Sequence, residues 1–211
     1  MANSNGAFGL RPIGVVGQAA NTTGATEYRI ASGNTNAIYQ GSPVIPLSTG
    51  FIDIVGAAAG GSVGLLGVFW GCEYVSSTTG ETIFSNSWPG SGADSNHPVK
   101  AFVYDNPMQT FVICSDASLT NEATARGHVF ANANFATATG GTTATGISTA
   151  KLGVSTIAAT AALQLRIMGI QDDPENADFT AAGIPVIVRL NNSFNSANGA
   201  IVAGTPSTTG V

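Results

Sequence analysis

Apolar residues alternate with polar ones in short runs that Gly, Ser, Asn or Pro repeatedly interrupt. The segment TEYRIA (26–31) puts Tyr28 and Ile30 on one face, the period of a half-buried strand. In NAIYQGSPVIP (36–46), Pro43 and Pro46 flank Val44 and Ile45. Proline donates nothing to a ladder, so this segment is expected at an edge or a bend. GFIDIVGAAA (50–59), GLLGVFWGCEYVS (64–76) and ETIFSNSWPG (81–90) continue the strand series. VKAFVYD (99–105) and MQTFVICSD (108–116) are two strong strands joined by the turn dipeptide Asn106-Pro107. HVFANANF (128–135), LQLRIMGIQ (163–171) and IPVIVRLN (184–191) also read as extended. Helical composition is limited to LTNEATARG (119–127), with Gly127 as its expected C-cap, and VSTIAATAA (154–162), where Thr and Ile oppose a long helix.

Many short strands at close spacing, with no repeat of fixed period, predict a mainly β chain. The expected architecture is an antiparallel β-barrel or β-sandwich body with an extended N-terminal arm and few short helices. The chain divides into an arm (1–14), a β-rich body (15–135) and a Thr/Gly-rich loop or linker (136–150). A C-terminal β segment (151–192) completes the body or forms a small second lobe, and a flexible tail (193–211) follows. The arm carries isolated anchors, Phe8, Leu10 and Pro12, and two readings of it stand. It docks on a partner, as segments that order on binding do, or Phe8 and Leu10 plug the protein's own body.

Composition narrows the function. Charged residues are only 9% of the chain, against roughly a quarter in an ordinary soluble domain. A surface of Thr, Ser, Asn and Gly packs against neighbours without desolvating ions. The bland alternative is a secreted or cell-surface β-protein. Net charge is −5, and the seven basic residues (Arg11, Arg29, Lys100, Arg126, Lys151, Arg166, Arg189) are scattered singly in sequence. Nucleic-acid affinity needs clustered cations, so no nucleic-acid partner is expected. No secretory signal is visible. The apolar stretch 54–70 is short and broken by Gly, so no membrane association is expected; a pair of strands around GGS fits it better.

Cys72 and Cys114 both lie in apolar strand-like runs and read as buried free thiols; a disulfide requires those strands to be neighbours. No zinc spacing, phosphate loop or nucleophile elbow occurs, and no cofactor or enzymatic activity is expected. His97 reads as solvated and His128 as partly buried. The acidic cluster Asp172, Asp173, Glu175, Asn176 and Asp178 is a weak candidate for calcium; a solvated turn around Pro174 is the better reading, since the spacing of a dedicated calcium loop is missing. Aromatic residues such as Trp88 suggest an alternative role in stacking on carbohydrate, although core packing is their commoner use.

The segments AFGLRP (7–12), YRIA (28–31), AIYQGSPVIPLSTGFI (37–52) and LLGVFWGCEYV (65–75) resemble a family of small tailed-bacteriophage virion proteins, the capsid decoration or cement proteins. VKAFVYDNPMQTFVICSD (99–116), with its D-x-P…F turn between two strands, is similar to the same family. So is the C-terminal part: TGISTAKLGVSTIAATAALQLRIMGI (145–170), NADFT (176–180) and VIVRLNNS (186–193). The tail beyond departs from the pattern, since members often end sooner. The resemblance implies a structural protein on the outer capsid surface of the virion, folded in the host cytoplasm. It also implies that the protein stabilises the shell by bridging adjacent subunits of the major capsid protein. Its expected partners are that protein and itself, as a homo-oligomer with a trimer favoured. Phe8, Leu10, Arg11 and Pro12 are the expected capsid contacts. The alternative is a host-adhesion or carbohydrate-binding module on the virion surface.

Overall fold

In the computed structural model the described residues are 3–4, 6–17, 24–56 and 64–196. The first ten strands are β1 (Arg11–Val15), β2 (Thr26–Ile30), β3 (Ile38–Tyr39), β4 (Pro43–Pro46), β5 (Ile52–Ile54), β6 (Gly67–Val75), β7 (Thr82–Ser85), β8 (Ser87–Trp88), β9 (Val99–Tyr104) and β10 (Gln109–Cys114). After them come helix α1 (Glu122–Gly127) and strands β11 (Asn132–Ala133), β12 (Phe135–Thr137), β13 (Gly141–Thr142), β14 (Ile147–Ser148), β15 (Lys151–Leu152), β16 (Leu165–Ile170) and β17 (Pro185–Leu190).

Two antiparallel sheets carry the body. One runs β1-β10-β17-β16-β11; the other runs β2-β9-β6-β4-β5, with β7 also paired to β6. Both are open at their edges, so the body is sandwich-like and the barrel alternative is not realised among the described residues. The Asn106-Pro107 turn does not make a hairpin. It hands the chain from β9 in the second sheet to β10 in the first. The turn itself is closed by Gln109 N–H donating to the Asn106 carbonyl at 3.0 Å.

Alternation along the strands feeds two adjoining cores. Phe111, Ile113, Leu165, Ile167, Val186 and Val188 form the inner face of the first sheet. Ile30, Val44, Phe69, Val99, Ala101 and Val103 form the second core, closed by Trp88 and Ile38 of the small β3–β8 ladder. The segment 65–69 serves both: Leu65 and Val68 enter the first core, Leu66 and Phe69 the second. Burial of this kind is the main favourable term in folding.

Several expectations change. β4 is not an edge, because it pairs with β5 on one side and β6 on the other. Its prolines sit at the strand ends, where the lost donors cost little. The 136–150 segment is not a linker; β13 and β14 form a hairpin there, with Ala138, Ser148 and Ala150 buried. The Tyr39 ring is seated directly on Gly141, where any Cβ would strike it. Only one 3-10 turn, Val154–Thr156, forms in the second helical candidate. Helix α1 is capped by the Asn121 side chain, which accepts from Thr124 N–H; Gly127 is its last residue and His128 its C-cap. The 151–192 segment completes the body, since β17 lies between β10 and β16. No described helix is long and apolar enough to cross a membrane.

Candidate functional site

The N-terminal segment is sewn onto the body rather than held away from it. Asn3 Nδ2 donates to the carbonyls of Asp178 (3.0 Å) and Ala182 (2.8 Å), and Asn3 Oδ1 accepts from Asp178 N–H. Gly9 adopts φ +67° and lies so close to Gly41 and Ser148 that a Cβ would stand 2.7 Å from each. This close approach lets Leu10 N–H reach the Gly41 carbonyl at 2.9 Å and drives the Leu10 side chain into the first core, fully buried. β1 then pairs with β10, with a bulge between Pro12 and Gly14.

The four expected contact residues therefore divide. Leu10 cannot touch a partner; it is an internal anchor, which is the plugging reading of the arm. Phe8 is half-buried and lies under the Arg11 guanidinium, 4.5 Å from carbon to ring centroid. Arg11 is exposed and Pro12 half-buried on the edge strand. Beside them Ile13 is 47% exposed, an apolar residue on the bulge that sequence pattern alone did not single out. A bulge inserts an unpaired residue and breaks the alternation by which strand faces are read, so no sequence signal was available. Phe8, Leu10 and Arg11 also line a small depression of about 70 Å³ with Gln40, Trp70 and Ile147.

Two other side chains stand out. Phe84 on β7 is 74% exposed and Phe130 is 73% exposed. Phe130 has φ +73°, a left-handed backbone that is costly for a bulky residue. It is held there because its N–H donates to the Ile167 carbonyl at 2.8 Å, while Ile167 N–H returns to Ala131.

The acidic cluster folds into local turns. Asp173 Oδ1 accepts from Glu175 N–H and Oδ2 from Asn176 Nδ2, capping the 3-10 turn Pro174–Asn176. Asp178 Oδ1 accepts from Thr180 N–H and its hydroxyl, and these bonds hold the Asp178 carboxyl below its usual range. No group of three or more His, Cys, Asp or Glu side chains placed to hold a metal ion occurs among the described residues. The turn walls one side of a cavity of about 260 Å³ between α1 and the end of β16. Ile170, Phe179 and Ile184 form its floor, and Glu122, Arg126, Asp172 and Asp173 stand around it. It suits a small apolar group better than a bare ion.

Trp88 is fully buried, edge-on to Tyr74 at 5.4 Å, with its Nε1–H donating to the Asn34 carbonyl at 3.3 Å. It therefore offers no stacking platform to a sugar. His97 is exposed and pairs with Asp94 at 3.0 Å; a backbone bond from Asn96, and then that pairing, hold the Asp94 carboxyl below its usual range. It borders a shallow charged groove of about 180 Å³ with Arg29, Glu73 and Lys100. His128 is half-buried at the end of α1. Cys72 and Cys114 are buried free thiols, pushed up to about 12 and about 11 by burial.

Together these features define a mainly antiparallel β-protein of sandwich-like build, displaying single large apolar side chains on a surface poor in ions. No protein-family model, curated protein or solved structure matches the chain.

Proposed function

We propose that this protein is a structural virion component that binds the outer surface of a bacteriophage capsid and reinforces it by bridging neighbouring coat subunits. The observation that carries the reading is the division of labour in the N-terminal segment. Leu10 fixes it from inside, while Arg11 and Ile13 are presented at the open edge of a five-stranded sheet. An arginine beside an apolar residue is a common composition at the centre of protein interfaces. A rigid edge also loses less conformational freedom on docking than a free arm would. The resemblance of the quoted segments to cement proteins supports the same reading, as does the low charge. Weak single contacts suffice on a shell, because many copies on a symmetric lattice bind with avidity.

Deleting the first dozen residues is a poor test, since it removes Leu10 from the core. The informative variants are Arg11→Glu and Ile13→Asp, which alter the displayed edge and leave Leu10 in the core. Purified shells stripped of the protein are mixed with each variant and sedimented. Loss of co-sedimentation by both variants, with Tm lowered by no more than about 4 °C, is the expected result. Undiminished binding by both refutes the role of this edge, and failure of the wild-type protein to bind shells refutes the function.

A further inference from the structure

The cations that are scattered along the sequence are not all scattered in space. Gly14 pairs with Thr110, Thr110 with Arg189, Arg189 with Arg166 and Arg166 with Asn132. Directly paired residues point to the same side of a sheet, so these positions form one row across all five strands. The row lies on the side opposite the core, because the neighbouring pairs Phe111–Val188 and Val188–Ile167 face inward. Arg166 and Arg189 are thus side by side, and like charges directly opposite destabilise a sheet. No carboxylate among the described residues pairs with either. The ion pairs of the described residues employ Arg29, His97, Lys100 and Arg126, and neither Arg166 nor Arg189 joins one. Arg166 Nε donates only to the neutral Asn132 Oδ1 at 3.1 Å. Arg189 reaches the Met108 sulfur at 3.5 Å, and its Nε is buried without a partner. Burial, with Arg166 nearby, lowers the pKa of Arg189. Ile13, 47% exposed, lies on the edge strand β1 of this sheet, and Met108, 38% exposed, lies in the turn just before β10.

A chain with seven basic and twelve acidic residues thus leaves two arginines adjacent and without an ion pair among the described residues. The complementary surface is also present. The turn joining β16 to β17 carries Asp172 and Glu175, both exposed and in no ion pair among the described residues. It sits at the far end of β16, four residues beyond Arg166, about 13 Å along the strand at the usual rise. A turn fixed at that distance does not fold back onto the arginines of its own chain.

We infer that the Arg166–Arg189 row is a docking surface for a second copy of this chain, which supplies Asp172 and Glu175 of its acidic turn as the carboxylate partners. The contact joins two different patches, the kind from which rings are built when the rotation closes. This inference goes beyond the proposed function and is independent of shell binding.

The test uses the full chain, with mass measured by light scattering and sedimentation velocity. Wild type is expected to be an oligomer. Arg166→Glu/Arg189→Glu and Asp172→Lys/Glu175→Lys are each expected to weaken association on the order of a hundredfold, as breaking desolvated charge pairs does. Melting curves check that both still fold; the second pair lies on an exposed turn outside the core. In an equimolar mixture the intact arginine row meets the intact acidic turn, and the reversed row meets the reversed turn, so mixed oligomers are expected. A monomeric wild type, or wild-type mass in both variants, overturns the contact. Loss of association in the arginine variant alone overturns the choice of the acidic turn as occupant. A monomer that still decorates shells sinks this contact and leaves the proposed function, whereas an oligomer assembled in this way that ignores shells does the reverse.

Discussion

Leu10→Ala separates an anchored N-terminal segment from a free one. Leu10 is fully buried in the first core, and its backbone N–H is bonded to Gly41. The substitution removes three carbons, about 0.8 kcal/mol each in transfer free energy. It also leaves a cavity that the surroundings refill only in part, and buried Leu→Ala changes as a class cost roughly 2–5 kcal/mol. The position is pinned on both sides, by Gly9 packed against Gly41 and by the β1–β10 ladder, so little collapse is available. A loss of about 3 kcal/mol is the expected value. For a chain of this length that lowers Tm by about 6–12 °C. Urea unfolding followed by tryptophan fluorescence and far-UV circular dichroism gives the free energy. Arg11→Ala is the control: exposed and held only by its stack on Phe8, it is expected to cost about 0.5–1 kcal/mol. A Leu10→Ala change below about 0.5 kcal/mol, the range of ordinary surface substitutions, refutes the anchoring argument.

Three further outcomes follow from the packing and the titrating groups. Gly141→Val should displace the Tyr39 ring and destabilise the β13–β14 hairpin, read as faster amide exchange there; unchanged exchange contradicts the seating of the ring. Phe130→Gly should raise stability by about 0.5–1 kcal/mol, because relief of a left-handed bulky residue, about 1–2 kcal/mol, outweighs the added freedom of the unfolded chain; a lower Tm refutes it. Cys72, Cys114 and Tyr28 have raised pKa values, about 12, 11 and 12, so the fold favours their protonated forms. Their contribution is intact below the ordinary values of 9.0 for the thiols and 10.0 for tyrosine and falls as pH rises from there to 11–12. Alkaline titration of stability should therefore slope downward above pH 9, with both thiols blocked from reagent until unfolding; thiols that react at pH 8 in the native state contradict this.

The strands were legible wherever alternation was clean. TEYRIA, VKAFVY and IPVIVRL fall on β2, β9 and β17 because one side of each is apolar and buried. Pairing was not legible. Nothing in VKAFVYDNPMQTFVIC says that the two strands join different sheets, since a turn dipeptide fixes a local reversal and not a partner. The Thr/Gly-rich 136–150 looked like a linker because its residues are small, yet smallness is what lets Tyr39 and Asn86 pack against Gly141 and Gly146. Trp88 and Leu10 each carried an interior reading beside a functional one, and sequence alone did not decide between them, since burial depends on contacts remote in sequence. The arginine row was hidden for the same reason: Arg166 and Arg189 are 23 positions apart (189 − 166) and meet only through the register of β16 with β17. The tail from 197 and the 57–63 part of the expected GGS turn lie outside the described residues.

The place of β17 sets a timetable. It is the last strand of the described chain, yet it lies between β10 and β16, and β1, the first, closes on β10. The arginine row does not exist until β17 has been laid down between its two neighbours. On the proposed reading, copies rising from one messenger would have no finished surface with which to seize one another until that strand is in place.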